Sequence, residues 1–210
     1  MSDNALTEML QCFNNHACDK GFKHGYQKVY EKDFVKLKDK EINILEIGVD
    51  TGASLGVWYD YFPKANIYGL DLFVRNKLED LEYFKKDRIY GLKSDSTKPS
   101  SKYEAGQAWK GIKFDIIIDD GMHTPDANLK TFKNFFPLLK EDGSYYIEDV
   151  FPMDIMTTKE LNYHWIVRHP ERYSFPLYDS FLREIEKHKV SRYDLRKEAY
   201  PDSYIIKVTK

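Results

Sequence analysis

Cysteine is almost absent from this chain of 210 residues: Cys12 and Cys18 are the only two. Two thiols outside a CxxC spacing exclude a disulfide framework, which needs more cysteines and an oxidising compartment. Long apolar runs are missing too, and none approaches the roughly 20 residues that cross a bilayer. The opening MSDNALTEMLQCF has no basic stretch followed by an apolar core, so no signal peptide is expected. Charge of one sign is not in excess: 34 acidic against 32 basic side chains leave a net charge of −2. That balance argues against a nucleic-acid partner, which would call for clustered Lys and Arg; the lysines of Lys32–Lys40 read as a solvated face. Internal repeats and Pro/Gly-rich linkers are also lacking. The expectation is one soluble, cytoplasmic domain with no membrane insertion. Cys12, His16, Cys18 and His24 match no standard structural zinc spacing, so they read as partly buried thiols and surface histidines.

What is present is an alternation of short apolar runs and longer amphipathic stretches. Ile42–Val49, Ile67–Leu72, Ile89–Leu92, Phe114–Asp119 and Ser144–Val150 are almost continuously apolar, as strands buried on both faces of a parallel sheet are. Ser54–Phe62, Asp126–Leu139 and Leu177–His188 carry apolar residues at helical spacing. Thr124 is placed as an N-cap with Pro125 at the first helical position, and Asp142-Gly143 reads as a turn into the next strand. Ser191–Arg196 and Ser203–Thr209 read as a terminal hairpin around Tyr200–Asp202. Alternating β and α predicts an α/β fold: a mostly parallel sheet closed by an antiparallel hairpin, with helices on both faces. Ligands of such folds sit beyond the carboxyl ends of the strands.

The first such end is Glu46-Ile47-Gly48-Val49-Asp50-Thr51-Gly52, a strand running into a glycine turn and a helix. Gly48 and Gly52 allow close backbone approach, and the helix start offers free N–H groups. Glu46 occupies the first glycine position of the dinucleotide fingerprint, which disfavours a pyrophosphate and suits a ligand with a cationic part. About 20 residues on, Asp71 ends the second strand where a ribose diol is usually held. Asp95 follows the third strand, placed to face an adenine edge. This set resembles the class I S-adenosylmethionine-dependent methyltransferases.

Acids also gather after the fourth and fifth strands, as Asp119-Asp120-Gly121-Met122-His123 and Glu148-Asp149. Neighbouring parallel strands bring Asp120, Glu148 and Asp149 to one edge of the crevice. Carboxylates so placed repel one another unless a cation is bound, and oxygen donors favour a hard ion such as Mg²⁺. The same residues also fit a plain turn and a solvated strand end, and spacing does not choose. His123 stands at a helix start, which favours the neutral imidazole that accepts a proton.

IIIDDGMH followed by NFFPLLKEDGSYYIEDV resembles the metal-dependent macrolide-sugar O-methyltransferases of the mycinamicin and macrocin type. The resemblance covers residues 15–155 and implies a Rossmann-like class I methyltransferase fold with a seven-stranded sheet. It implies Mg²⁺ on Asp120, Glu148 and Asp149, His123 as catalytic base, and a small-molecule acceptor, a sugar, as partner. Cys18-Asp19-Lys20 and His24-Gly25-Tyr26 with Tyr30 resemble that family's Thr-Asp-Lys, Gly-Tyr and Tyr segment near the cofactor. The residues expected at S-adenosylmethionine are therefore Asp19, Lys20, Tyr26, Tyr30, Glu46, Gly48, Gly52, Ser54, Asp71, Asp95 and Asp119. Residues 1–40 are expected as a helical lid segment, 41–150 as the cofactor-binding core, 151–176 as an acceptor lid rich in aromatics, and 177–210 as the closing helix and hairpin. The family's separate N-terminal domain is expected to have no counterpart, and a homo-oligomer is left open. Two other readings compete: a metal-independent methyltransferase of the same fold, and a nucleotide-sugar or NAD-binding α/β protein, which Glu46 argues against.

Overall fold

The structure, a computed structural model, describes residues 7–210; the first six residues of the expected lid segment lie outside the described residues. The chain enters through three short helices, α1 (Glu8–Asn15), α2 (Asp19–Phe22) and α3 (Gln27–Phe34). Then β1 (Asn43–Ile47), α4 (Ala53–Tyr61), β2 (Asn66–Asp71), β3 (Ile89–Lys93), α5 (Pro99–Ala108), β4 (Phe114–Asp119), α6 (Pro125–Phe135) and β5 (Leu139–Ile147) alternate. Helices α7 (Thr158–Leu161), α8 (His164–Arg168) and α9 (Phe175–Ile185) precede the hairpin of β6 (Lys189–Asp194) and β7 (Tyr204–Thr209).

The seven strands form one sheet in the order β3-β2-β1-β4-β5-β7-β6. The first five run parallel; β7 pairs antiparallel with both β5 and β6. Strand alternation sorts the apolar residues into two cores. Ile44, Ile67, Ile116, Ile118 and Tyr146 pack under α1, α3 and α4, while Leu45, Ile47, Tyr68, Ile117, Tyr145 and Ile147 pack under α5, α6 and α9. Both sheet faces are covered, which is why these strands read as continuous apolar runs. Among the described residues no helix is long and apolar enough to cross a membrane.

Several boundaries differ from expectation for identifiable reasons. Thr124 caps α6, its hydroxyl accepting from the Ala127 N–H at 3.4 Å, and Pro125 opens the helix as expected. The helix stops at Phe135 because Pro137 falls in a tight 3₁₀ turn, so Leu139 begins β5 instead of ending α6. Asp142-Gly143 is not a turn between elements; it lies inside β5, where the pairing with β4 shifts between Phe114 and Ile116. Helix α5 went unread because its buried positions are the small Ser101 and Ala105, not an apolar stripe. Nor are both amino-terminal histidines on the surface: His24 is 2% exposed.

Register places the site. Ile47, Asp119 and Ile147 stand side by side on β1, β4 and β5, so Gly48, Asp120 and Glu148 emerge together at the carboxyl edge.

Candidate active site

The turn after β1 is built around two left-handed glycines, Gly48 (φ +89°) and Gly52 (φ +81°). A Cβ on Gly48 would lie 2.0 Å from the carbonyl oxygen of Asp120, so the glycine permits the β1 and β4 loops to touch. Gly52 serves a different neighbour, since its Cβ would meet the Tyr83 ring at 2.7 Å. Asp71 fastens this turn: one carboxylate oxygen accepts from the Val49 and Asp50 N–H groups at 2.7 and 3.3 Å, the other from Phe73 N–H at 2.7 Å. Asp95 likewise accepts from the Thr97 N–H and hydroxyl, at 3.0 and 2.6 Å, closing its own loop.

Alternation beyond the strand ends divides the acids between the two faces. Asp119 turns toward α6, is buried, and accepts from the Tyr145 hydroxyl at 3.2 Å. Burial pushes its carboxyl up to about 7, with His123 and Tyr145 opposing. Glu46, Asp120 and Glu148 turn the other way, toward the segment that carries Lys20 and Tyr30. Glu46 is fully buried; one oxygen accepts from the Trp58 indole N–H at 2.9 Å and the other, with no hydrogen bond, faces the Lys20 ammonium at 3.4 Å. Ser54, buried in the first turn of α4, is the other polar neighbour of this carboxylate. The positive charge that faces Glu46 in the structure is that of Lys20.

Lys20 also donates to Asp120 and to Glu148, and Tyr30 donates to the second oxygen of Glu148. Burial pushes the Lys20 ammonium toward neutrality, but Asp120, Glu148 and Glu46 together hold it well above the ordinary lysine range. Burial likewise acts to raise the Asp120 carboxyl, yet Lys20 and His123 win and hold it below the usual carboxylate range. Glu148 goes up, chiefly by burial.

On the open side, Asp120, His123 and Asp149 bring one ligand atom each within 4.8 Å of one another. Among the described residues this is the one group of His, Cys, Asp and Glu that fits a metal ion. The His123 Nε2 lies 3.7 Å from Asp120 Oδ1, and its buried Nδ1 has no hydrogen-bond partner. Asp149 accepts from the Tyr26 hydroxyl and returns its own N–H to that oxygen at 3.3 Å; His24 Nδ1 stands 3.5 Å from the carboxylate. His123 (φ +55°) and Asp149 (φ +52°) both hold left-handed backbone that non-glycine residues rarely adopt. Such strain costs about 1–3 kcal/mol per residue and persists where the surroundings fix a functional geometry.

The expected metal set is thus brought together only in part. Asp120 and Asp149 share the cluster, but both oxygens of Glu148 are taken, by Lys20 and Tyr30; His123, expected as the base, stands among the ligand atoms. Of the residues expected beside the cofactor, Lys20, Tyr26 and Tyr30 are buried and directed onto carboxylates, while Asp19 is exposed with Lys23 at 3.8 Å. Sequence reasoning missed Trp58 and Tyr145, which fix Glu46 and Asp119; each reads as plain aromatic core, and only its polar atom distinguishes it. His16 is held by Asp60 at 2.7 Å and Tyr83 at 3.2 Å, and His24 by Ser203 at 2.8 Å, so neither joins the cysteines. In the segment expected as a lid, Phe151, Tyr163 and Tyr173 pack with Met156 and Ile166 into a small core of their own, whereas Trp165 is half exposed. Phe151 also lines a pocket with His123, Asn128 and Tyr178.

No family model matches the chain. It is 32% identical over 144 residues to the 8-demethyl-8-(2-methoxy-alpha-L-rhamnosyl)-tetracenomycin-C 3'-O-methyltransferase of Streptomyces olivaceus, covering 65% of this chain and 35% of that one. It is 32% identical over 139 residues to the mycinamicin VI 2''-O-methyltransferase of Micromonospora griseorubida, covering 62% of this chain and 33% of that one. The chain spans about a third of the length of the curated relatives it matches. The MycE methyltransferase from the mycinamycin biosynthetic pathway, solved in complex with Mg, SAH and mycinamycin VI, superposes with a TM-score of 0.69. That match has 23% identity and covers 97% of this chain and 54% of that one. The chain has the class I methyltransferase fold and resembles, over about two thirds of its length, the sugar O-methyltransferases that act in tetracenomycin and mycinamicin chemistry.

Proposed function

We propose that this chain transfers a methyl group from S-adenosylmethionine to a hydroxyl of a sugar-bearing small molecule, with a divalent ion, Mg²⁺, held by Asp120 and Asp149. The observation that carries the reading is the Asp120–His123–Asp149 cluster at the carboxyl ends of β4 and β5, in contact with the glycine turn through Gly48. The donor chemistry fits a hard cation, since two carboxylates face an open edge beside a histidine whose buried Nδ1 lacks a partner. The relatives support it too: they are named as O-methyltransferases of rhamnosyl tetracenomycin C and of mycinamicin VI.

When bound, S-adenosylmethionine supplies a methyl group on a sulfonium, and the ion supplies positive charge that favours a deprotonated hydroxyl. The turn Gly48–Gly52 and the N-terminus of α4 would hold the methyl donor, with Asp71 keeping the turn in place and Asp95 at the next strand end. His123 would accept the hydroxyl proton. Asp120 Oδ1, 3.7 Å from His123 Nε2, is placed to balance the charge gained. Phe151 and the residues of 151–176 would cover the acceptor and exclude water.

The test is transfer of labelled methyl from S-adenosylmethionine to a panel of rhamnosylated and other glycosylated acceptors, with and without EDTA. Transfer that stops with EDTA and returns with excess Mg²⁺ supports the reading. Transfer unaffected by EDTA would move the chain to the metal-independent reading. A chain that binds neither S-adenosylhomocysteine nor an acceptor would contradict both.

A further inference from the structure

Lys20 is 3% exposed, yet its ammonium contacts Asp120 and Glu148 and lies 3.4 Å from Glu46. A buried lysine is rare unless paired, and here it meets three carboxylates from three adjacent strand ends. Two of those acids are ones that the family resemblance assigns to a divalent ion. The two oxygens of Asp120 face different ways: Oδ2 accepts from Lys20, while Oδ1 faces His123 and the open cluster. Glu148 has no oxygen left over, since Lys20 takes one and Tyr30 the other.

We propose that Lys20 is a built-in counter-ion that occupies cation-binding oxygens of Asp120 and Glu148, and so lowers the affinity of the cluster for a divalent ion. The proposal rests on the metal reading above. Without Lys20, the buried Glu46 and Glu148 and the partly buried Asp120 would face one another, and their repulsion would strain the ion-free protein. With Lys20 in place the site is assembled before any ion arrives, and the ion is left with Asp120 Oδ1 and Asp149, beside His123. The positive charge of Lys20 sits one carboxylate away from that ion, and its repulsion weakens binding. Lys20 therefore trades ion affinity for stability of the ion-free protein.

The experiment is Mn²⁺ binding by calorimetry to the parent chain and to Lys20→Met, with thermal unfolding of both in EDTA and in Mn²⁺. The unbranched methionine keeps most of the length of the side chain and removes the charge. Lys20→Met should bind Mn²⁺ about tenfold more tightly or better, a size set by removing one unit charge from the vicinity of the ion. It should melt below the parent in EDTA and gain more from Mn²⁺ than the parent does. Equal or weaker Mn²⁺ binding by Lys20→Met, with the parent binding, would overturn the proposal and leave the metal reading standing. Absence of Mn²⁺ binding in both proteins would overturn the two together. If Lys20→Met does not fold, Glu148→Gln and the double variant Lys20→Met/Glu148→Gln carry the same comparison, because the double variant removes the buried pair as a pair. Adding Lys20→Met to Glu148→Gln must then tighten Mn²⁺ binding; a loosening would overturn the proposal.

Discussion

The carbonyl oxygen of Asp120 stands 2.0 Å from the point that a Cβ on Gly48 would occupy. This one contact joins the glycine turn after β1 to the acidic loop after β4, so the proposed methyl-donor and metal sites are two sides of one backbone junction. Gly48→Ala would need φ +89° and a shift of backbone at Asp120. It should destabilise the chain by at least about 2 kcal/mol, read as a lower midpoint in thermal or urea unfolding. Gly25 is also left-handed (φ +68°) but has nothing within 4 Å of its added Cβ, so Gly25→Ala should cost only about 1 kcal/mol.

Asp71 should matter twice. Its carboxylate receives three backbone N–H groups of the turn and of the segment after β2. Asp71→Ala should lower stability by about 2–3 kcal/mol and weaken S-adenosylhomocysteine binding, measured by unfolding and calorimetry on the same preparation. A variant that loses affinity with unchanged stability would mean that Asp71 touches the ligand without holding the turn.

His123→Ala tests the base. Turnover should fall by about 10²–10⁴-fold while S-adenosylhomocysteine affinity stays near that of the parent, since His123 lies on the acidic loop and not in the glycine turn. Relief of the left-handed strain does not follow from this change, because alanine meets the same restriction at φ +55°.

Asp119 gives a pH dependence with a definite sign. Its folded carboxyl is pushed up to about 7 by burial, against an unfolded value of about 3.9. Between those two values the unfolded chain gives up its proton before the folded one, so this residue costs no stability below about pH 4 and its full cost above about pH 7. In EDTA, Asp119→Asn should therefore be more stable than the parent at pH 8, by on the order of 2–4 kcal/mol, with the gap closing toward pH 4. The asparagine carbonyl keeps an acceptor for the Tyr145 hydroxyl. A gap that widens toward low pH would contradict the account.

The strands were legible because burial on both faces leaves a continuous apolar run, and α6 because Thr124 and Pro125 mark its start. Helix α5 was not, because small residues pack as well as large ones but leave no periodic signal. The acids of the site were legible as a group from their place at strand ends. Their division was not: that Glu148 meets Lys20 while Asp149 meets Tyr26 depends on alternation across β5 and on a segment over 100 residues earlier in the chain. Nothing local to Glu148-Asp149 marks which acid faces the open edge.

The central claim is that a divalent ion sits between Asp120 and Asp149 with the acceptor hydroxyl beside His123. A crystal structure of the chain grown with S-adenosylhomocysteine, Mn²⁺ and a rhamnosylated acceptor, with anomalous data for manganese, tests it most directly. The account predicts one strong peak within coordination distance of both carboxylates and a sugar hydroxyl within hydrogen-bond reach of His123. A peak elsewhere, or none there at saturating Mn²⁺, would contradict it.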